Sequence, residues 1–497
     1  MVAAATADAK PMVDHRRAPL LEGVRRYVEH DITPFTTPGH KRGRGIDAEF
    51  AAMFGHLLLD RDIPLGGGVD DTHFGGQTLV AAEELAADAW GADRSFFLVN
   101  GSSAGNHAFL LATVRPGDEV IVARDMHKSL MVSLILAGAK PVYIAPRLHP
   151  ALSVGLGIAP SDVEAALHAH PNAKLVALVS PSYCGVQSDL AGIVAAAHAR
   201  GVPVYVDEAW GPHFHFHPAL PASAMTSGVD GAVTSTHKIL GALTQSAILN
   251  VRSVLVDPRI VKGAVGMVVS TSPSVPILAS IDACRRQMAL DGEALLDQAI
   301  ALATEARERL RAIPGVGVLG ADHLGIDGYD LTKLVIDVDG LGLTGFAVEH
   351  LLREEYAVQP EMSDLVSVVC IVSLADTRAS IDRLIAAFAD ISRRHGRNAG
   401  AGARLRSSGA AIDPGVQAMT PREAFFAPSR TIPLAQAIGE VSAELVIPYP
   451  PGIPVLAPGD VISAEKVAYL REGAAHGMYL SGPADGELNT IRVVSGR

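Results

Sequence analysis

Between residues 119 and 236 short apolar segments alternate with helical ones, and this alternation constrains the fold more than any other feature. EVIVA (119–123), KPVYIA (140–145), KLVALVS (174–180), VPVYVDE (202–208) and GAVTST (231–236) are strand-like. NHAFLLATV (106–114), HKSLMVSLILAG (127–138), PSDVEAALHAH (160–170) and LAGIVAAAHARG (190–201) are helix-like. Strands and helices alternating at this spacing build βαβ units around a mainly parallel sheet. Such a sheet takes its ligands at the carboxyl ends of its strands. The expected class is therefore α/β.

At 497 residues the chain exceeds one core, so two or three domains are expected. Beyond residue 280 the texture changes. SIDACRRQMAL and EALLDQAIALATEARERLRAI read as long amphipathic helices. DLTKLVIDVDG, TGFAVEHLLREEY, LVSVVCIVSLA and SIDRLIAAFADISRR then give strand, helix, strand, helix. HGRNAGAGARLRSSGAAIDPG (395–415) is rich in Gly, Ala, Ser and Arg without periodicity and reads as a linker. The reading is an N-terminal segment (1–45), a large domain (46–280), a smaller α+β domain (281–395), a linker (396–415) and a C-terminal α+β domain (416–497), with proline-set turns at PYPPG and APGD.

Composition narrows the function. A net charge of −12 argues against a nucleic-acid partner. No signal peptide and no apolar run of about 18 residues is found, so a cytoplasmic protein away from membranes is expected. Cys184, Cys284 and Cys370 are widely spaced and read as buried reduced thiols.

STHKILGALTQSA (235–247) sets hydroxyls beside a histidine and a lysine directly after a strand. A lysine amine forms Schiff bases with aldehydes, and hydroxyls suit a phosphate. A pyridoxal 5'-phosphate site needs such a lysine, a carboxylate on the pyridine nitrogen, a helix N-terminus for the phosphate and a flat group on the ring. Lys238, Asp207, the Gly101-Ser102-Ser103 turn and His127 all fall at strand ends in that order of need. Each alone has an ordinary reading: surface lysine, turn cap, common loop, helix-start histidine. Glu208 reads equally as a solvated or a functional acid. His213, His215 and His217 in HFHFHP read as a polar loop and not a metal site, since no carboxylate or cysteine spacing accompanies them. The joint order is what favours the cofactor.

STHKILGALTQSA also resembles the lysine signature of the Orn/Lys/Arg decarboxylase family, fold type I pyridoxal-phosphate enzymes related to aminotransferases. TPGHKRG (37–43), VNGSSAGNH (99–107), ARDMHKSL (123–130), VDEAWG (206–211), STSPSVPILASID (270–282) and IPYPPGIPVLAPGD (447–460) resemble further family segments in order. The resemblance runs from about residue 18 to the C-terminal segment, and is to the shorter branch that lacks an N-terminal wing domain.

It implies an aminotransferase-like large domain, with Lys238 as the Schiff-base lysine and Asp207 on the pyridine nitrogen. It implies cofactor contacts from Ser102, Ser103, Ser235 and His237, a stacking His127 and an Ala209 on the ring's other face. Ser270 and Thr271 fall where a neighbouring subunit reaches the phosphate, which implies a homodimer or higher homo-oligomer. Two positions depart from the family pattern: Glu440 where many relatives carry a basic residue, and Trp210 where short-branch relatives often carry histidine. The implied reaction is decarboxylation of arginine, lysine or ornithine, with His237 or Lys238 returning a proton to Cα. The distal cation of such a substrate needs an acid, for which Glu208, Glu361, Asp364, Glu440, Glu444 and Asp460 are candidates, with Glu440 and Glu444 favoured beside Trp210 as substrate-selecting residues. The same fold also serves aminotransferases, aldolases and amino-acid oxidases; an inert cofactor-binding regulator is the reading from another class.

Overall fold

Seven strands make the large sheet: β1 (Arg94–Leu98), β2 (Glu119–Ala123), β3 (Lys140–Ile144), β4 (Leu175–Val179), β5 (Val204–Asp207), β6 (Gly231–Thr234) and β7 (Ala247–Val251). Their order is β1-β7-β6-β5-β4-β2-β3, and β2 to β6 pair in parallel. The computed structural model describes residues 13–30, 32–70, 77–149, 154–396, 409–449 and 452–496. All five expected strands are present. β4 to β6 are buried along their whole length, which is why they read as unbroken apolar runs: helices cover both faces.

Two strands escaped the reading, β1 and β7. The strand β7 runs antiparallel to both β6 and β1. It follows β6 through the lysine loop with no helix between, so the spacing of βαβ units carries no sign of it.

The helix Gly101–Thr113 lies unusually close on the sheet. A Cβ on Gly105 would stand 2.5 Å from Val233 Cγ2, and one on Gly231 would stand 2.0 Å from the Phe109 ring. Only residues without side chains permit that approach. It brings the start of the helix to the carboxyl ends of β5 and β6.

A single helix of 37 residues, Val275–Arg311, runs through the boundary expected at residue 280 and replaces the two helices read there. At about 1.5 Å per residue it reaches from one domain into the next. Leu278, Ile281, Met288 and Leu296 share a core with Trp90, Phe97 and Leu20, whereas Ala303, Ala306 and Leu310 pack with the small domain. The N-terminal segment joins the large domain: Leu20 N donates to Asp282 Oδ2 (2.9 Å), and Arg285 donates to the carbonyls of His15 and Arg17 (3.0 and 2.6 Å).

The small domain is a four-stranded antiparallel sheet of β8 (Gly317–Val318), β9 (Lys333–Asp337), β10 (Met362–Ser363) and β11 (Ser367–Ile371), backed by helices Gly345–Tyr356 and Arg378–His395. Of the expected linker, residues 397–408 lie outside the described residues, as do 450–451 of PYPPG. The C-terminal domain pairs β12 (Ser429–Pro433) with β15 (Thr490–Val494) and β13 (Ile447–Pro448) with β14 (Leu480–Ser481) around the helix Ala464–Ala475. No described helix is long and apolar enough to cross a membrane. The three cysteines are free, and burial pushes their thiols up to about 12.

The C-terminal domain is fastened to the large domain by Arg124, which has no exposed surface. Its guanidinium donates to the carbonyls of Pro454 and Val455 and to Asp460 Oδ2 at 3.1 Å, while Lys466 Nζ stands 3.6 Å from the same oxygen. Removing one partner from a buried pair strands the other charge. Arg124→Ala is therefore expected to cost about 3–5 kcal/mol in urea unfolding, with partial recovery on adding Asp460→Asn. An Arg124→Ala protein that unfolds at the parent's urea midpoint would show that the contact is not holding the domain.

Candidate active site

Ser235 to Lys238 form the turn after β6, closed by Lys238 N donating to Ser235 O at 3.3 Å. The Lys238 Nζ lies 3.9 Å from the centre of the Trp210 ring. Burial lowers its pKa, against the charges of Asp207 and Glu361, which raise it. A lysine below its ordinary value holds more neutral amine, the nucleophilic form.

Asp207, at the end of β5, is 3% exposed. Its Oδ2 accepts from Asn106 Nδ2 at 2.7 Å and its Oδ1 from Ala209 N at 3.2 Å. Burial raises its pKa; the Asn106 bond and the Lys238 charge oppose that. Asn106 is held in turn by Tyr205, whose hydroxyl donates to Asn106 Oδ1, and by Ser129 Oγ, both at 2.7 Å.

Sequence reasoning quoted Asn106 without assigning it. An asparagine at a fully buried position inside a helix was the available signal, because that residue favours caps and turns.

The lysine turn is tied to the start of the helix Gly101–Thr113 by a 2.5 Å bond between Ser235 Oγ and Ser102 Oγ. Gly101 has φ +69 and its amide donates to Gln245 O at 2.8 Å, whereas Asn100 makes no side-chain cap, so the amides of Ser102 and Ser103 that follow are left without one. Amides in that arrangement hold anions.

His127 caps the helix Lys128–Ala137: its Nδ1 accepts from Ser129 N at 3.2 Å and meets Ser129 Oγ at 2.7 Å. Burial and the Lys238 charge lower its pKa to about 3, so the ring is a neutral plate. The C-terminal domain reaches this ring. Lys128 N donates to Gly452 O (2.9 Å), and a Cβ on Gly452 would stand 2.9 Å from His127 Cδ2. His237 Nδ1 faces Ser246 O at 2.8 Å, and burial lowers its pKa as well.

Thus the structure brings Ser102, Ser103, His127, Asp207, Ala209, Trp210, Ser235, His237 and Lys238 to the strand ends and loop starts of one sheet. Ser270 and Thr271 are exposed in the turn before the long helix. The favoured acids are engaged elsewhere. Glu440 pairs with Arg430 at 2.7 Å on the C-terminal domain. Glu444 is buried and takes the amides of Ala484 and Arg492 at 3.0 and 2.9 Å. Asp460 belongs to the Arg124 clasp. Asp364 accepts from Val366 N and Ser367 N in the turn joining β10 to β11, and Glu208, pushed up to about 8 by burial, accepts from Ala224 N at 2.7 Å. Of the six candidates Glu361 is the one whose charge acts on Lys238. The HFHFHP histidines go to three separate partners: His213 to Asp330 (3.1 Å), His215 to Ser223 (3.2 Å) and His217 to Asp297 (2.9 Å).

Family models described as "Orn/Lys/Arg decarboxylase, major domain" and "Orn/Lys/Arg decarboxylase, C-terminal domain" match residues 18–328 and 410–481. The chain belongs to the Orn/Lys/Arg decarboxylase family. It is 41% identical to an arginine decarboxylase of Halalkalibacterium halodurans over 97% of this chain and 99% of that one. An arginine decarboxylase of Bacillus subtilis is 39% identical over the same shares. Among solved structures, lysine decarboxylase A of Pseudomonas aeruginosa superposes with a TM-score of 0.81 at 23% identity, covering 97% of this chain and 81% of that one. The fold of this decarboxylase-family chain is thus the aminotransferase-like α/β fold, with its small and C-terminal domains.

The depressed histidine makes stability depend on pH. With a folded value of about 3 against 6.5, the folded chain binds fewer protons at this site than the unfolded chain, so stability is lost as pH falls through that window. Between pH 7 and pH 5 the parent is expected to lose about 1–2 kcal/mol more than His127→Gln, read from urea midpoints of the cofactor-free proteins. Equal losses would mean that His127 titrates normally.

Proposed function

We propose that this chain is a pyridoxal-5'-phosphate-dependent decarboxylase of a basic amino acid, with arginine first among arginine, lysine and ornithine. The observation that carries the reading is the pairing of a buried amine with a buried carboxylate, Lys238 and Asp207, at the ends of adjacent parallel strands. Long, near-complete similarity to proteins named arginine decarboxylase supports the substrate class.

The residues present suit the cofactor. Lys238 offers an amine of lowered pKa for its aldehyde. Asp207, locked by Asn106, offers a carboxylate for its ring nitrogen. The uncapped amides of Ser102 and Ser103, with Ser235 beside them, offer donors to a phosphate. Thr236 Oγ1 is buried without a partner among the described residues and is a further donor there. When bound, the cofactor supplies an electron-accepting ring for the pair of electrons that departing CO2 leaves behind.

In this reading the protein's own groups bind, orient and move protons. His127 and Ala209 confine the ring between an imidazole plate and a small side chain. Asp207 keeps a positive charge favourable opposite it. His237 or Lys238 delivers the proton that replaces CO2 at Cα, and Lys238 frees the amine product. Glu361 takes the role first given to Glu440 and Glu444, attracting the distal cation of the substrate. Ser270 and Thr271 reach the phosphate of a partner subunit in a cytoplasmic homodimer.

Cofactor-loaded protein should convert arginine to CO2 and agmatine in equal amounts. Keto acid would signal transamination instead, and peroxide would signal oxidation. Lys238→Ala should abolish turnover and the borohydride-reducible attachment to the protein. Asp207→Asn should keep the attachment while the rate falls by about 100-fold or more. An undiminished Asp207→Asn rate would remove Asp207 from the mechanism.

For Glu361→Gln, KM for the basic substrate should rise about tenfold or more while norleucine is handled as by the parent. A parental KM would clear Glu361 of the role.

A further inference from the structure

The small domain sends a second amine to the site, and none of the roles above uses it. Lys333 opens β9 and is fully buried. Its Nζ lies 3.5 Å from the centre of the Trp210 ring, the ring on which Lys238 Nζ stands at 3.9 Å. The two nitrogens are therefore separated by no more than those two distances laid end to end.

Among the described residues Lys333 Nζ has no hydrogen-bond partner. Two acids act on it through their charges, Asp330 and Glu361; Asp330 Oδ1 accepts from Thr332 N and Thr332 Oγ1 and faces His213 Nε2, while its Oδ2 makes no hydrogen bond to the amine. Burial lowers the pKa of this amine to about 8, which leaves it largely cationic at neutral pH.

The position is built into the joint between domains. A Cβ on Gly185, which has φ +86, would stand 3.0 Å from Lys333 Cγ. Asp330 N donates to Gly185 O at 2.8 Å, and Val186 bridges to Tyr329. A turn without a side chain at 185 is what admits the lysine stem. A buried ammonium with no partner is unfavourable, and a site that keeps one is prepared for an anion.

We propose that Lys333 receives the α-carboxylate of the amino-acid substrate; the assignment rests on the decarboxylase reading above. There the substrate nitrogen takes over from Lys238 Nζ, and the carboxylate of an α-amino acid sits two bonds from that nitrogen. It therefore arrives within a few ångströms of Lys238, where Asp207 and Glu361 repel it, His127 is neutral and Lys333 attracts it. Lys333 and Glu361 then hold opposite ends of a substrate that is anionic at one end and cationic at the other. Because CO2 leaves uncharged, this contact weakens as the bond breaks. It stabilises the bound amino acid more than the transition state and acts on affinity before rate.

The test compares each amino acid with the amine that lacks its carboxylate. Lys238→Ala protein loaded with pyridoxal 5'-phosphate, which does not turn over, is titrated calorimetrically with arginine, lysine and ornithine and with agmatine, cadaverine and putrescine. The amino acids should bind more tightly than their amines. Adding Lys333→Met should weaken the amino acids by about tenfold or more, leave the amines within about twofold, and so erase the preference; Lys333→Arg should restore it.

With Lys238 intact, Lys333→Met should raise KM and leave kcat unchanged or higher. Equal weakening of amino acids and amines, no weakening of either, or a fall in kcat at constant KM would each overturn the assignment. If an apolar amino acid binds in place of the basic ones and its preference over its amine needs Lys333, the assignment stands and the substrate class falls. Lys333→Gln carries the same comparison if the methionine variant does not fold.

Discussion

A carboxylate buried at the end of a central strand is the constraint on which the site depends. Burial pushes Asp207 toward its neutral form, and the Asn106 amide and the Lys238 charge pull it back. Asn106 can reach it because Gly105 and Gly231 let the helix Gly101–Thr113 settle onto the sheet. The same amide engages Tyr205 on β5 and Ser129 at the head of the next helix. One side chain thereby fixes the register of helix, strand and neighbouring helix, and with it the amides of Ser102 and Ser103 at the start of the same helix.

Buried cations then join the rest of the molecule to this centre. Arg285 draws the N-terminal segment onto the long helix, and Arg124 clasps the C-terminal domain. That clasp brings Gly452 against His127, so a wall of the site comes from a segment more than 300 residues further along the chain. At the third joint His213 and Asp330 pair across the boundary between large and small domains, both fully buried. The alternation in HFHFHP therefore serves packing: it sends neighbouring histidines to a buried aspartate, a serine and an exposed aspartate in turn.

Much of this was legible in the chain. The strands β2 to β6 announced themselves because a sheet covered on both faces needs continuous apolar runs, and Lys238, Asp207 and His127 stood out because they sit where such runs stop. β7 did not, since it returns antiparallel through the lysine loop and breaks the expected period. Glu440 and Glu444 looked like substrate-facing acids because their segment resembles one that closes over a site. Their carboxylates are held by Arg430 and by the amides of Ala484 and Arg492. A segment's approach to a site says nothing about which way a given carboxylate turns, since that is settled by the donors nearest to it.

The sequence by itself determined the fold class, the lysine and aspartate at its strand ends, and the family, because periodicity and local turn chemistry are properties of neighbouring residues. Tertiary structure alone decided that Asn106 steadies the aspartate, that Arg124 is a clasp, that Asp460 is its counter-charge and that Lys333 meets Lys238 on one tryptophan. Those partners stand roughly 100 to 340 positions apart. An electrostatic environment is made by whatever the fold brings within a few ångströms, and a linear chain carries no record of it.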